Sequence, residues 1–188
     1  MYRKKETLLA LILTIVTFSL GLGYGFIKGL TMETSKGNPI EFLRELAKFY
    51  HPYDFKTAIF IFAKNLIAVI FMWLIGFIFS IPALIGIAYN AFIIGYVIAS
   101  SPNILFSIMA IVPHGILEIP ALIIAGTAGV KLGIILIRKI FAIIKHTEYK
   151  LLPNAGETLH LMKISILLLA PAAVIETFIT PLIASLFK

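Results

Sequence analysis

Pro113-His114-Gly115-Ile116-Leu117-Glu118-Ile119-Pro120-Ala121 sets an imidazole and a carboxyl four residues apart, between two prolines, in a chain that is otherwise mostly hydrocarbon. At that spacing the two side chains share one helical face. Lys64, Asn65, Asn90 and Glu176 interrupt other apolar runs. An ionisable group at membrane depth is costly unless it is paired, neutralised or placed on an ion path. Three kinds of chemistry are open to this set. The side chains can satisfy one another and the backbone carbonyls freed by proline. Carboxyls of shifted acidity can pass protons or a cation. Finally, His114 and Glu118 are a weak pair of metal ligands that Glu176 or His51 would have to complete. There is no G-x-S-x-G, no H-E-x-x-H, no phosphate loop and no cysteine, so neither enzymatic activity nor a resident cofactor or metal centre is expected.

Composition says what must position these groups. Of 188 residues, 60% are hydrophobic and only 13% charged, against about 25% charged in soluble domains. This is the composition of a polytopic membrane protein whose main partner is the lipid bilayer. The net charge of +7 reads as membrane topology rather than nucleic-acid binding, because Lys and Arg collect on the cytoplasmic side.

A span needs about 20 apolar residues. The runs place five, at about 7–28, 55–79, 82–100, 114–137 and 159–187, in an all-α bundle forming a single integral membrane domain over 1–188. Arg3-Lys4-Lys5 before an apolar run imitates a signal peptide. No cleavage site follows, and Gly21, Gly23 and Gly25 continue the run, so it reads as an uncleaved span. Residues 40–50 have helical periodicity but are too short to cross, which predicts an external amphipathic helix. The apolar stretch 104–137 would be about 50 Å of helix. Pro113-His114-Gly115 is therefore expected to bend it, leaving a short re-entrant or interfacial helix over 104–111. Pro153-Asn154-Ala155-Gly156 reads as the turn of a basic loop, and Pro171 and Pro181 flank Glu176 in the last span.

Two stripes of small residues recur every four positions: Gly21, Gly25, Gly29 and Ala121, Ala125, Gly129, Gly133. Such faces let backbones approach closely, either between copies or within one chain. The basic residues of the N-terminus and of 138–163 place both in the cytoplasm. Five spans then put residue 188 outside. In that arrangement His114, Glu118, Glu176, Lys64 and Asn65 share the outer leaflet, and Lys64 is expected to neutralise Glu118 or Glu176.

The run PHGILEIPALIIAGTAGVKLG, residues 113–133, resembles the signature of the stage II sporulation protein M family. Asn65, Asn90 with Gly95, and Glu176 in an apolar last span fit the family's general pattern. The resemblance covers most of 60–187, while 8–50 agrees only in position and hydropathy. It implies a multi-span bundle acting as a non-enzymatic scaffold. In spore formers the namesake holds peptidoglycan-degrading enzymes at the septal membrane, and relatives occur in non-sporulating organisms and archaea. The expected function is accordingly a homo-oligomeric membrane scaffold or assembly protein of the cell membrane, with other membrane or envelope proteins as possible partners. The alternative is a proton, cation or small-solute channel or transporter using the polar cluster.

Overall fold

The computed structural model describes residues 2–31, 48–149 and 151–187. Every regular element in them is helical: α1 Tyr2–Leu30, α2 Phe55–Ile75, α3 Ile81–Ser100, α4 Ile104–Ile144, α5 Leu151–Val174, a π-helical turn Ile175–Ile179 and α6 Thr180–Ser185. Five stretches are long and apolar enough to cross a membrane: Lys4–Leu30, Phe55–Ile75, Ile81–Ser100, Ile104–Ile144 and Ala155–Ser185. The predicted amphipathic helix lies almost entirely outside the described residues.

The bundle is organised around α4, which packs on every other helix. Its small residues explain why. Ala121, Ala125 and Ala128 are fully buried, and Gly129 meets the backbone of Met72 and Trp73 on α2 and the side chain of Ala83 on α3. A Cβ at Gly133 would strike Ser80 and lie 2.6 Å from the Gly76 carbonyl oxygen. That close approach holds the tight 76–80 turn, in which Phe79 and Ser80 take left-handed backbone angles and the Ser80 hydroxyl donates to Val130 O at 2.7 Å. The first stripe is equally enclosed. A Cβ at Gly25 would collide with the Phe92 carbonyl of α3. Both stripes are therefore consumed by packing within the chain.

The sequence-based parse needs two corrections. No break separates 104–111 from the following span: α4 runs unbroken for 41 residues with Pro113 and Pro120 inside it. Its start is fixed upstream, where the Asn103 side chain caps Phe106 N at 3.0 Å. Proline within a membrane helix is tolerated because neighbouring groups can serve the freed carbonyls. Second, the chain leaves α4 at 145–149, and residues 153–156 already belong to α5. Pro153 sits in the first turn of that helix, where its missing N–H costs nothing.

Large apolar side chains point outward all around the bundle, among them Leu20, Ile67, Phe71, Ile85, Ile116 and Leu167. Alanines and glycines fill much of the centre, together with larger apolar side chains such as Ile87, Met72 and Leu169. This is the distribution expected where hydrocarbon is the solvent and packing, rather than water exclusion, joins the helices.

Candidate functional site

One end of the bundle gathers the motif residues. His114 and Glu118 are successive on one face of α4, with His114 Nε2 3.8 Å from Glu118 Oε2. Glu176 reaches the same point from the π-helical turn. One ligand-type atom from each of His114, Glu118 and Glu176 lies within 4.8 Å of the others. The ring orientation is set on the far side, where His114 Nδ1 bonds Thr180 Oγ1 at 3.2 Å. From α2, the Asn65 carboxamide faces Glu118. Asn65 is 5% exposed, yet its Nδ2 has no hydrogen-bond partner.

The π turn that carries Glu176 has a local cause. Thr180 N reaches back five residues to Ile175 O. Because Thr180 N is spent on Ile175 O, Glu176 O lacks its helical donor, and Pro181 has no N–H to serve Thr177 O. The segment before α2 supplies both missing donors. Tyr50 Oη donates to Glu176 O at 3.1 Å, and Tyr53 N donates to Thr177 O at 3.1 Å. Tyr53 adopts φ 66° to do so. Burial first, then the Glu176 charge, holds the Tyr50 phenol above its usual pKa range, so it remains a donor. π turns recur at functional positions for this reason: the extra residue re-aims a side chain.

Three sequence expectations do not hold here. Lys64 is exposed and within electrostatic reach of His114, Glu118 and Glu176, but forms no ion pair with either carboxylate. It follows Phe55 by nine residues, and its long stem carries the ammonium outward, as membrane lysines do. Asn90 is not in the cluster; it donates to Gly86 O of its own helix at 2.9 Å. His51 is exposed and supplies only a backbone N–H, to Thr57 Oγ1.

The opposite end holds a second polar cluster that the motif search missed. Lys131 of α4 is 1% exposed; its Nζ pairs with Glu157 of α5 and donates to Thr7 Oγ1 of α1 at 2.7 Å. Glu6, also buried, pairs with Arg138 at 2.9 Å and accepts from Tyr149 Oη at 3.4 Å. A recess of about 390 Å³ opens beside Lys131, Glu157 and His160. Each residue looks ordinary in the sequence, Lys131 as a lone charge in an apolar run and the others as flanking charges. Their meeting depends on three helices ending together. The contacts also put the N-terminus and the 138–157 region at one end of the bundle, as the charge pattern requires.

Between the two clusters the core is apolar and close-packed, through Val69, Met72, Ala121, Leu122, Ala125, Ala128 and Leu169.

A bundle of five apolar helices, lipid-compatible outside and with its buried charges gathered in two internal clusters, defines a multi-pass α-helical membrane protein. Its motif on α4 and the glutamate of its last span agree with one family: the chain belongs to the stage II sporulation protein M family, matching over residues 8–181. The match extends to α1, beyond the region where the motif alone suggested it. The chain is 33% identical over 181 residues to Uncharacterized protein MJ0793 of Methanocaldococcus jannaschii, covering 93% of this chain and 96% of that one. It is 34% identical over 113 residues to Uncharacterized protein MJ0706 of the same archaeon, covering 60% of this chain and 52% of that one. No solved structure matches it.

Proposed function

We propose that the protein is a non-enzymatic membrane assembly protein, a rigid bundle that presents its ends to other membrane or envelope proteins. The observation that supports this reading is the largely apolar core between the two polar clusters. Each cluster fastens helices together at one end: His114, Glu118, Glu176 and Thr180 join α4 to the last span, while Lys131, Glu157, Glu6 and Arg138 join α1, α4 and α5. A path for protons or cations would need linked polar groups between them; the side chains there are mostly Ala, Leu, Val and Met, and the buried hydroxyls of Thr14, Thr127 and Ser165 are each spent on a backbone carbonyl, Ala10 O, Ile123 O and Ala121 O. Family membership favours the same role. In this reading the N-terminus and 145–150 face the cytoplasm and residue 188 the outside. Self-association would use surfaces other than the two small-residue stripes.

Cross-linking in native membranes followed by mass spectrometry tests this. The expected result is reproducible cross-links to a second polypeptide or a second copy, together with proteoliposomes that pass protons and K⁺ no faster than empty vesicles. A strict monomer without co-purifying partners, combined with a flux that Glu118→Gln abolishes, would overturn it in favour of ion passage.

A further inference from the structure

We propose that His114, Glu118 and Glu176, with Asn65, form a site for one divalent transition-metal cation that joins α2, α4 and the last span. The geometry converges from three segments. A ligand-type atom of each of the three ionisable residues lies within 4.8 Å of the other two. A tetrahedral ion with bonds of about 2.0–2.2 Å has ligand pairs roughly 3.4 Å apart, a contraction that rotation of the two glutamate side chains supplies. The helix positions of His114 and Glu118 need no change.

Two independent observations point to a ligand rather than to a self-satisfied knot. The first is Asn65. It is 5% exposed and its carboxamide lies in hydrogen-bonding reach of Glu118, yet Nδ2 closes no hydrogen bond of good geometry. Turning the carboxamide over presents Oδ1 to a cation at the same place. The second is the imidazole. Its Nδ1 is engaged by Thr180 Oγ1, which leaves Nε2 directed at Glu118, 3.8 Å away. Metal-binding histidines are held in this way, with one nitrogen fixed by an acceptor and the other carrying the lone pair.

Charge favours a cation too. Two carboxylates converge where Lys64, the nearest ammonium, does not touch them. One imidazole with two carboxylates and an amide oxygen suits Zn²⁺, Mn²⁺ or Co²⁺; a site for Mg²⁺ or Ca²⁺ would be all oxygen. The inference goes beyond the assembly role and does not depend on it: the ion would fasten the bundle end whatever that end presents.

The test uses the full-length protein in detergent, stripped with chelator, then titrated with ZnCl₂ and separately with CoCl₂. The expected result is one equivalent bound after desalting, a rise in melting temperature and, for Co²⁺, visible absorption bands of a nitrogen–oxygen site. Glu118→Gln and Glu176→Gln should each weaken binding at least about tenfold, whereas His51→Ala and His160→Ala should not. Lys64→Met separates the proposal from a salt-bridged knot without needing any ligand variant to fold. Removing that positive charge should tighten Zn²⁺ binding severalfold. If the cluster is only a self-satisfied knot, Lys64→Met leaves Zn²⁺ binding unchanged, which would count against the proposal. Sub-stoichiometric binding by the folded wild type, or binding indifferent to both glutamine substitutions, would overturn the proposal.

Discussion

At the scale of single residues, the costs fall on buried polar groups that depend on one or two partners. Lys131 is almost fully enclosed, with Glu157 and Thr7 as its partners. Removing Glu157 strands an ammonium in the core, and breaking such a buried pair costs about 3–5 kcal/mol. Glu157→Gln should therefore lower stability strongly in denaturant titrations, and Lys131→Met combined with Glu157→Gln should recover much of the loss. Tyr50 offers a milder case. Tyr50→Phe removes the donor to the Glu176 carbonyl and should cost about 1 kcal/mol. The same phenol has its pKa raised in the folded state from the ordinary 10.0. The folded protein thus holds this proton more tightly than the unfolded chain does. Its contribution is complete below pH 10 and is lost as pH rises above it. Wild-type stability should show that alkaline decline, and Tyr50→Phe should reduce its slope.

At the scale of elements, helix contact is decided by which glycines face a neighbour. Gly25 abuts the Phe92 carbonyl, while a Cβ at Gly23 would meet nothing within 4 Å. The two residues are one turn-half apart in sequence and differ only in direction. Gly23→Ala should be neutral or stabilising by up to about 1 kcal/mol through helix propensity. Gly25→Ala should destabilise by about 1–3 kcal/mol, because it overpacks the α1–α3 seam. Thermal unfolding of the two variants side by side checks the assignment of that face. The π turn belongs to the same scale. Its register and Pro181 together empty two carbonyls that the 50–53 segment then fills, so an external segment and the last span are locked together around Glu176.

At the scale of the molecule, α4 at 41 residues would measure about 60 Å, twice the hydrocarbon thickness. The two polar clusters divide it. Glu118 and Lys131 stand about 20 Å apart along the helix and His114 and Arg138 about 36 Å, spacings that bracket a hydrocarbon thickness of about 30 Å. That frame carries the orientation. The chain has no cysteine, so single cysteines can be introduced cleanly. Lys56→Cys should react with an impermeant maleimide on intact cells, and Thr147→Cys only after permeabilisation. The reverse pattern would invert the topology.

Much of this was legible from residue order. Twenty-residue apolar runs define spans because each must satisfy its own backbone in lipid, a local requirement that sequence states directly. The i,i+4 relation of His114 and Glu118 is likewise local, as are the small-residue stripes. Their partners were not legible. Nothing in the chain says whether Gly25 meets Phe92 or a second copy. Nor does Pro113 announce that α4 continues through it, since that depends on the Asn103 cap and on neighbours that accept the helix.

The sequence by itself determined that this is a multi-pass helical protein of its family, with its polar motif in the fourth apolar run. Only the tertiary structure decided what the motif meets: Glu176 arrives on a π turn just before Pro181, Asn65 comes in from α2 with an unspent amide, and Lys64 turns away. The reason is physical. Spans are fixed by hydrogen bonds within four residues, whereas the cluster depends on how three helices lie against each other, and that is set by packing among residues far apart in the chain.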